Sequence, residues 1–79
     1  MSETTNATIY VELLDEGGDV WRPVVAVQLS EWVYRIPADT VVPETEMWAF
    51  EPGMIVRCER RAFYKGEGLV AVEELERAV

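Results

Sequence analysis

Thr8-Ile9-Tyr10-Val11-Glu12-Leu13-Leu14, then Asp15-Glu16-Gly17-Gly18-Asp19, then Val20-Trp21-Arg22-Pro23-Val24-Val25-Ala26-Val27-Gln28-Leu29, is the stretch that decides the fold. Ile9, Val11 and Leu13 fall on one side of an extended chain, and Thr8, Tyr10 and Glu12 on the other. That period of two marks a half-buried strand, not a helix. The two glycines of the acidic segment can take positive φ, so the chain is expected to reverse there. Extended structure resumes over 20–29. Trp21, Pro23, Val25, Val27 and Leu29 share one parity, and Arg22 and Gln28 take the other. Pro23 has no N–H to give to a ladder, which places it at an edge, a strand start or a bulge.

The remainder repeats this alternation of apolar runs and turn residues. Ser30-Glu31 is a short connection, and Trp32 to Ile36, rich in aromatic and β-branched residues, is a third strand. Residues 37–44 hold two prolines and read as a loop. Glu46 to Phe50 is a short strand with Trp48 and Phe50 on one face, and Pro52-Gly53 is a turn. Met54 to Ala62 is a strand with Met54, Val56 and Cys58 inward and Arg57, Glu59 and Arg61 outward. Lys65-Gly66-Glu67-Gly68 reads as another turn, and Leu69 to Glu73 as the last strand, whose facing the pattern leaves open. Residues 74–79 are expected to form one helical turn or fray, and residues 1–7 a disordered tail. The expectation is therefore all-β. One domain over 8–79 forms a small SH3-like barrel of five or six short antiparallel strands, because a two-sided sandwich needs more chain.

The 79 residues cannot support more than one domain. Folding removes roughly 8,000 Å² from water. Its gain of about 120 kcal/mol nearly equals the cost of ordering the chain. Most apolar residues must then share one core, which leaves no room for a deep cavity around a large cofactor, and none is expected. Fifteen acids against seven bases give a net charge of −8. Such a surface repels phosphate backbones and anionic lipids, so general nucleic-acid or membrane binding is disfavoured. No segment approaches the length of an apolar span, and the polar N-terminus lacks a signal core, so a cytoplasmic location is the default.

Asp19-Val20-Trp21-Arg22-Pro23-Val24, then Tyr34-Arg35-Ile36, then Trp48-Ala49-Phe50-Glu51-Pro52-Gly53-Met54-Ile55-Val56-Arg57-Cys58, resembles a group of small uncharacterised bacterial SH3-like proteins over residues 8–73. The resemblance implies a fold and no activity. The Pro-Gly-x-x-Val element of residues 52–56 is similar to the turn into a strand in many SH3-like barrels. Trp32 sits where a glycine-containing turn is expected, which leaves its indole exposed.

The chain contains no histidine, which removes Ser-His-Asp and Cys-His nucleophilic arrangements. One cysteine cannot build a zinc site or an internal disulfide. Gly17-Gly18 opens no helix and lacks the lysine of a phosphate loop. Asp15, Glu16 and Asp19 lack the ligand spacing of a calcium loop. No metal and no enzymatic activity are expected.

Three sets of candidates remain. An aromatic contact patch, of the sort that anchors peptides, would use Trp32 first, then Tyr34 and Tyr10. Tyr64 also lies within reach of this reading, while Tyr34 shares a side with Ile36, which argues for burial. Trp21, Trp48 and Phe50 sit on apolar parities and are expected in the core. The second candidate is the basic segment Arg57, Arg60, Arg61 and Lys65. Residues 57–65 carry net +3 and the rest of the chain −11, so this segment could contact an anion or RNA, or simply form a charged outer strand face that pairs with acids across the sheet and guards an edge. The third is Cys58, a core residue by its alternation or a redox-sensing thiol if the neighbouring arginines lower its pKa. The leading expectation is a non-catalytic protein-interaction or regulatory module. It would bind an unknown partner or a second copy through its aromatics or an open strand edge, with weak nucleic-acid binding and thiol sensing as alternatives.

Overall fold

The computed structural model describes residues 5–14, 16, 20–63 and 66–77. Six strands follow in order: β1 (Thr5–Leu14), β2 (Trp21–Ser30), β3 (Val33–Arg35), β4 (Met47–Trp48), β5 (Met54–Phe63) and β6 (Gly66–Arg77). Among the described residues there is no helix, hence none long and apolar enough to cross a membrane. The strands pair in the order β2-β3-β5-β6-β1, and β1 returns to β2, closing a ring of five; β4 attaches to the far end of β1. The protein is thus all-β, with the rough outline of a small SH3-like fold.

The core fills the ring. Ile9, Val11 and Leu13 project inward from β1, as their alternation requires, and meet Val24 and Ala26 of β2 and Met54, Val56 and Cys58 of β5. Tyr34, Ile36 and Trp48 complete it, and Phe50 packs against its margin. Pro52-Gly53 turns as expected. Gly53 has φ +94°, its N–H donates to the Ile36 carbonyl at 2.7 Å, and the Ile36 N–H donates to the Met54 carbonyl at 3.0 Å. This locks the start of β5 to the end of β3.

Five expectations need correction. First, β1 begins at Thr5, inside the stretch 1–7 expected to be a tail. Thr5, Asn6 and Ala7 face Gln28, Val27 and Ala26, so the length of β2 extends the ladder. Second, the buried parity of β2 is Val24 and Ala26, not that of Trp21, Val25 and Leu29. Val25 is 60% exposed. Both parities of this segment are apolar, so the pairing of Ile9 with Val24 decides the facing. Third, Gly66 to Gly68, expected in a turn, and Glu74 to Arg77, expected to form a helical turn or fray, all belong to β6. Its long ladder pairs Phe63 with Gly66 at one end and Met54 with Arg77 at the other. Fourth, the ring closes through a parallel contact, Ile9 with Leu69 and Tyr10 with Val70, so the strands are not all antiparallel. Fifth, four of the strands are ten or more residues long, and not short.

Two features hold the ends of the ring. At one end the Glu46 carboxylate, 10% exposed, accepts from Arg22 Nε and Trp48 Nε1, each at 3.0 Å on Oε1, while Arg22 Nη2 donates to Oε2. Burying a carboxylate is tolerated here because three donors replace its water. Glu46→Gln is expected to lower stability by about 1–2 kcal/mol, since a neutral amide oxygen cannot serve this set. Urea denaturation measures this, and a loss under ~0.3 kcal/mol would remove the carboxylate from the account.

On the outer face of the sheet, Phe63 meets Tyr10 at a ring distance of 4.9 Å and Trp21 at 5.9 Å, and the Arg61 guanidinium lies 5.6 Å from the Trp21 ring. Val70, on the same face as its partner Tyr10, is 1% exposed. Trp21 therefore packs in a second apolar cluster outside the ring, not in the core expected for it.

Candidate functional site

Trp32 ends the turn between β2 and β3, where Ser30 pairs with Val33 and a bulge interrupts β2 between Gln28 and Ser30. Its φ is +68°, the one positive value among described non-glycine residues. A bulky L-residue in the left-handed region costs about 1–2 kcal/mol. The turn persists because the Trp32 carbonyl accepts from the Cys58 N–H at 2.7 Å, tying it to β5. The indole remains 39% exposed.

Beside it lies an open depression of about 320 Å³ lined by Trp32, Arg57, Cys58, Glu59 and Arg60. The structure thus brings the leading aromatic candidate together with two members of the basic set. It does not bring the other two aromatics. Tyr34 is 4% exposed and part of the core, because β3 alternates and its partner in β5 is the fully buried Val56. Burial, then the nearby Cys58, raises its phenol pKa, with Arg60 opposing. Tyr10 packs on Phe63 across the sheet's outer face and does not line the depression. Tyr64 and Lys65 lie outside the described residues, as do Asp15 and Asp19 of the acidic loop.

The basic segment is not one cationic stripe. Arg57 Nε donates to Glu73 Oε1 at 2.8 Å and Nη1 to Glu59 Oε2 at 3.0 Å. Arg61 is drawn to Trp21, and it pairs across the ladder with Gly68 on the outer face. Arg60 shares the opposite face with Leu69 and reaches Glu67 only at 3.6 Å, both side chains being well exposed. Exposed pairs of this kind contribute little to stability.

Cys58 is 1% exposed, and burial, opposed by Arg57, pushes its thiol up to about 11. At neutral pH it stays protonated, the unreactive form. The folded pKa lies above the unfolded one, so between pH 9 and 11 the unfolded chain releases a proton that the native state keeps. Stability should be insensitive to this group below pH 9 and fall through that window, by at most about 1.4 kcal/mol per pH unit. Tyr34 acts in the same direction. Melting followed from pH 8 to 11, with Cys58→Ala as control, tests this; identical slopes in both proteins would exclude the thiol as a contributor.

Among the described residues no three His, Cys, Asp or Glu side chains are grouped to hold a metal ion. The residue pattern offered the basic segment as the guard of a strand edge, and one flank of β5 is such an edge. Beyond Arg57, among the described residues, β5 pairs only with β6. Because the Cys58 N–H points away from β6 to Trp32, the backbone groups of Arg60 and Ala62 point the same way, into the open. Two adjacent arginines late in a strand were the available signal of such an edge. No family model, no curated protein and no solved structure matches this chain.

Proposed function

We propose that the protein is a non-catalytic interaction module of the cytoplasm, which holds a protein partner at the Trp32 depression. The observation carrying this reading is a large aromatic held half-exposed at φ +68°, where glycine would sit without strain. Fold stability alone gives no reason for tryptophan there, and recognition does, since exposed aromatics with an adjacent arginine are the usual anchors of protein contacts. The acids Glu59, Glu67 and Glu73 interleaved with the arginines favour a protein partner over a phosphate backbone, which they would repel.

Trp32→Gly separates the two demands. Relief of backbone strain should leave stability equal or raised by up to ~1 kcal/mol, while a partner co-purified from native cells with the wild-type protein is lost. Tyr10→Ala should keep that partner. Retention of every interaction by Trp32→Gly would end this reading, and a stability loss above ~2 kcal/mol would make the residue structural.

A further inference from the structure

We infer that the chain exchanges its β1–β2 hairpin with a second copy of itself, by opening the turn at Glu31-Trp32, and so forms a domain-swapped dimer. The exchange depends on the backbone beneath Trp32 and is independent of what the indole contacts.

The turn is short and strained. Glu31 and Trp32 alone join Ser30 at the end of β2 to Val33 at the start of β3. Trp32, Gly53 and Gly66 take positive φ among the described residues. Glycine adopts that conformation freely, so of these positions only Trp32 carries its cost. Opening the turn to extended backbone releases this strain in both copies. A short hinge under strain is the feature that favours exchange of an element over its closure within one chain.

The two sides of the hinge are separable. β1 and β2 share a continuous ladder from Thr5 with Gln28 to Glu12 with Trp21, so the hairpin holds itself together. β3, β5 and β6 stay joined to one another on the other side. The ladders between the two halves are short. Val27, Gln28 and Ser30 meet Arg35, Tyr34 and Val33, while Leu13 and Leu14 meet Trp48 and Met47. Ile9 and Tyr10 meet Leu69 and Val70. The same residues of a second copy satisfy each pairing, and they rebuild the core of Ile9, Val11, Val24 and Ala26 with Val56 and Cys58. Exchange therefore gives up no native contact outside the turn. Lost freedom on association opposes it, and so does repulsion between two chains that each carry −8. Salt screens that repulsion and should favour the dimer.

Val27 and Arg35 supply the test. They are paired across β2 and β3, on opposite sides of the hinge, and directly paired strand residues lie within the span of a disulfide. The full chain carrying Val27→Cys and Arg35→Cys, with Cys58→Ala to leave no other thiol, is held at about 1 mM just below its melting temperature so that hinges can open. It is then cooled, oxidised and separated by gel filtration. Expected is a dimer fraction whose chains are covalently joined on a non-reducing gel, because β2 of one copy lies against β3 of the other. The monomer fraction should close its disulfide within one chain.

Without the added cysteines, the dimerisation constant should rise at least threefold between low salt and about 0.5 M NaCl. Trp32→Gly, which relieves the strain in the closed turn, should lower it at least tenfold. Deleting Glu31 leaves a hinge too short to turn back and should raise it at least tenfold. Should the deletion fail to fold, Trp32→Gly carries the hinge test.

A dimer fraction whose disulfides close within single chains overturns the exchange, since the copies then only lie side by side. Absence of any dimer at that concentration also overturns it. An unchanged dimerisation constant in Trp32→Gly overturns hinge strain as the cause. The crosslink needs no partner protein, so the exchange and the interaction reading above fail separately.

Discussion

Ile9→Ala should lower stability by about 4 kcal/mol. The side chain is fully buried, on the strand where the β2 ladder, through Val24, and the β6 ladder, through Leu69, converge. Truncation loses the transfer energy of three carbons and leaves a cavity that paired backbone on both sides keeps from collapsing. A domain of this size has only about 4–12 kcal/mol in total, so the variant should be marginal at room temperature. Ile9→Val, losing one methyl, should cost about 1 kcal/mol and keep a cooperative transition. Urea denaturation of both measures the series. A loss below 1 kcal/mol for the alanine variant would mean that β1 does not line the interior.

Gly68→Val is the second large effect, about 3 kcal/mol. A Cβ built on Gly68 lies 2.7 Å from Tyr10 Cε2 and 3.0 Å from Phe63 Cε2. These are stiff rings packed on each other, so neither can retreat without disturbing the other or Trp21. If this contact is the cause, the cost must shrink when the obstructing ring is removed. In a Tyr10→Ala background, Gly68→Val should cost about 1 kcal/mol, a coupling of roughly 2 kcal/mol in a double-mutant cycle. Additive effects would contradict the close approach.

What could be read from the residues, and what could not, follows from how each segment is buried. Ile9, Val11 and Leu13, and Met54, Val56 and Cys58, alternate cleanly because one face of each half-strand meets the core and the other meets water or charge. Their facing is therefore written locally. Residues 69–72 are apolar on both parities because the sheet is covered on both sides there, by the core within and by Tyr10, Trp21 and Phe63 without. Residues 20–29 are apolar on both parities too, although Val25 and Leu29 face water. No local pattern can choose between two apolar faces, and only the pairing with β1 does so. The end of β6 carries the opposite lesson. Glu73 and Glu74 have no apolar rhythm, and they are extended because Arg57 and Val56 across the ladder offer bonds. Within the candidate site, the exposure of Trp32 was legible from its place in a turn, and the neighbouring arginines from their charge. The burial of Tyr34 and the remoteness of Tyr10 depend on which strands adjoin, and that is a property of the ring.

The two-residue parallel contact between β1 and β6 also governs when the molecule can exist. On a ribosome that releases roughly 5–20 residues per second, β1 and β2 emerge first and can form a hairpin, yet the ring cannot close until Leu69 and Val70 are free to dock on β1. Closure joins positions about sixty apart in the chain, and contacts so distant form slowly. The nascent protein therefore passes through an interval as an open, greasy sheet, the state most exposed to chaperones and proteases.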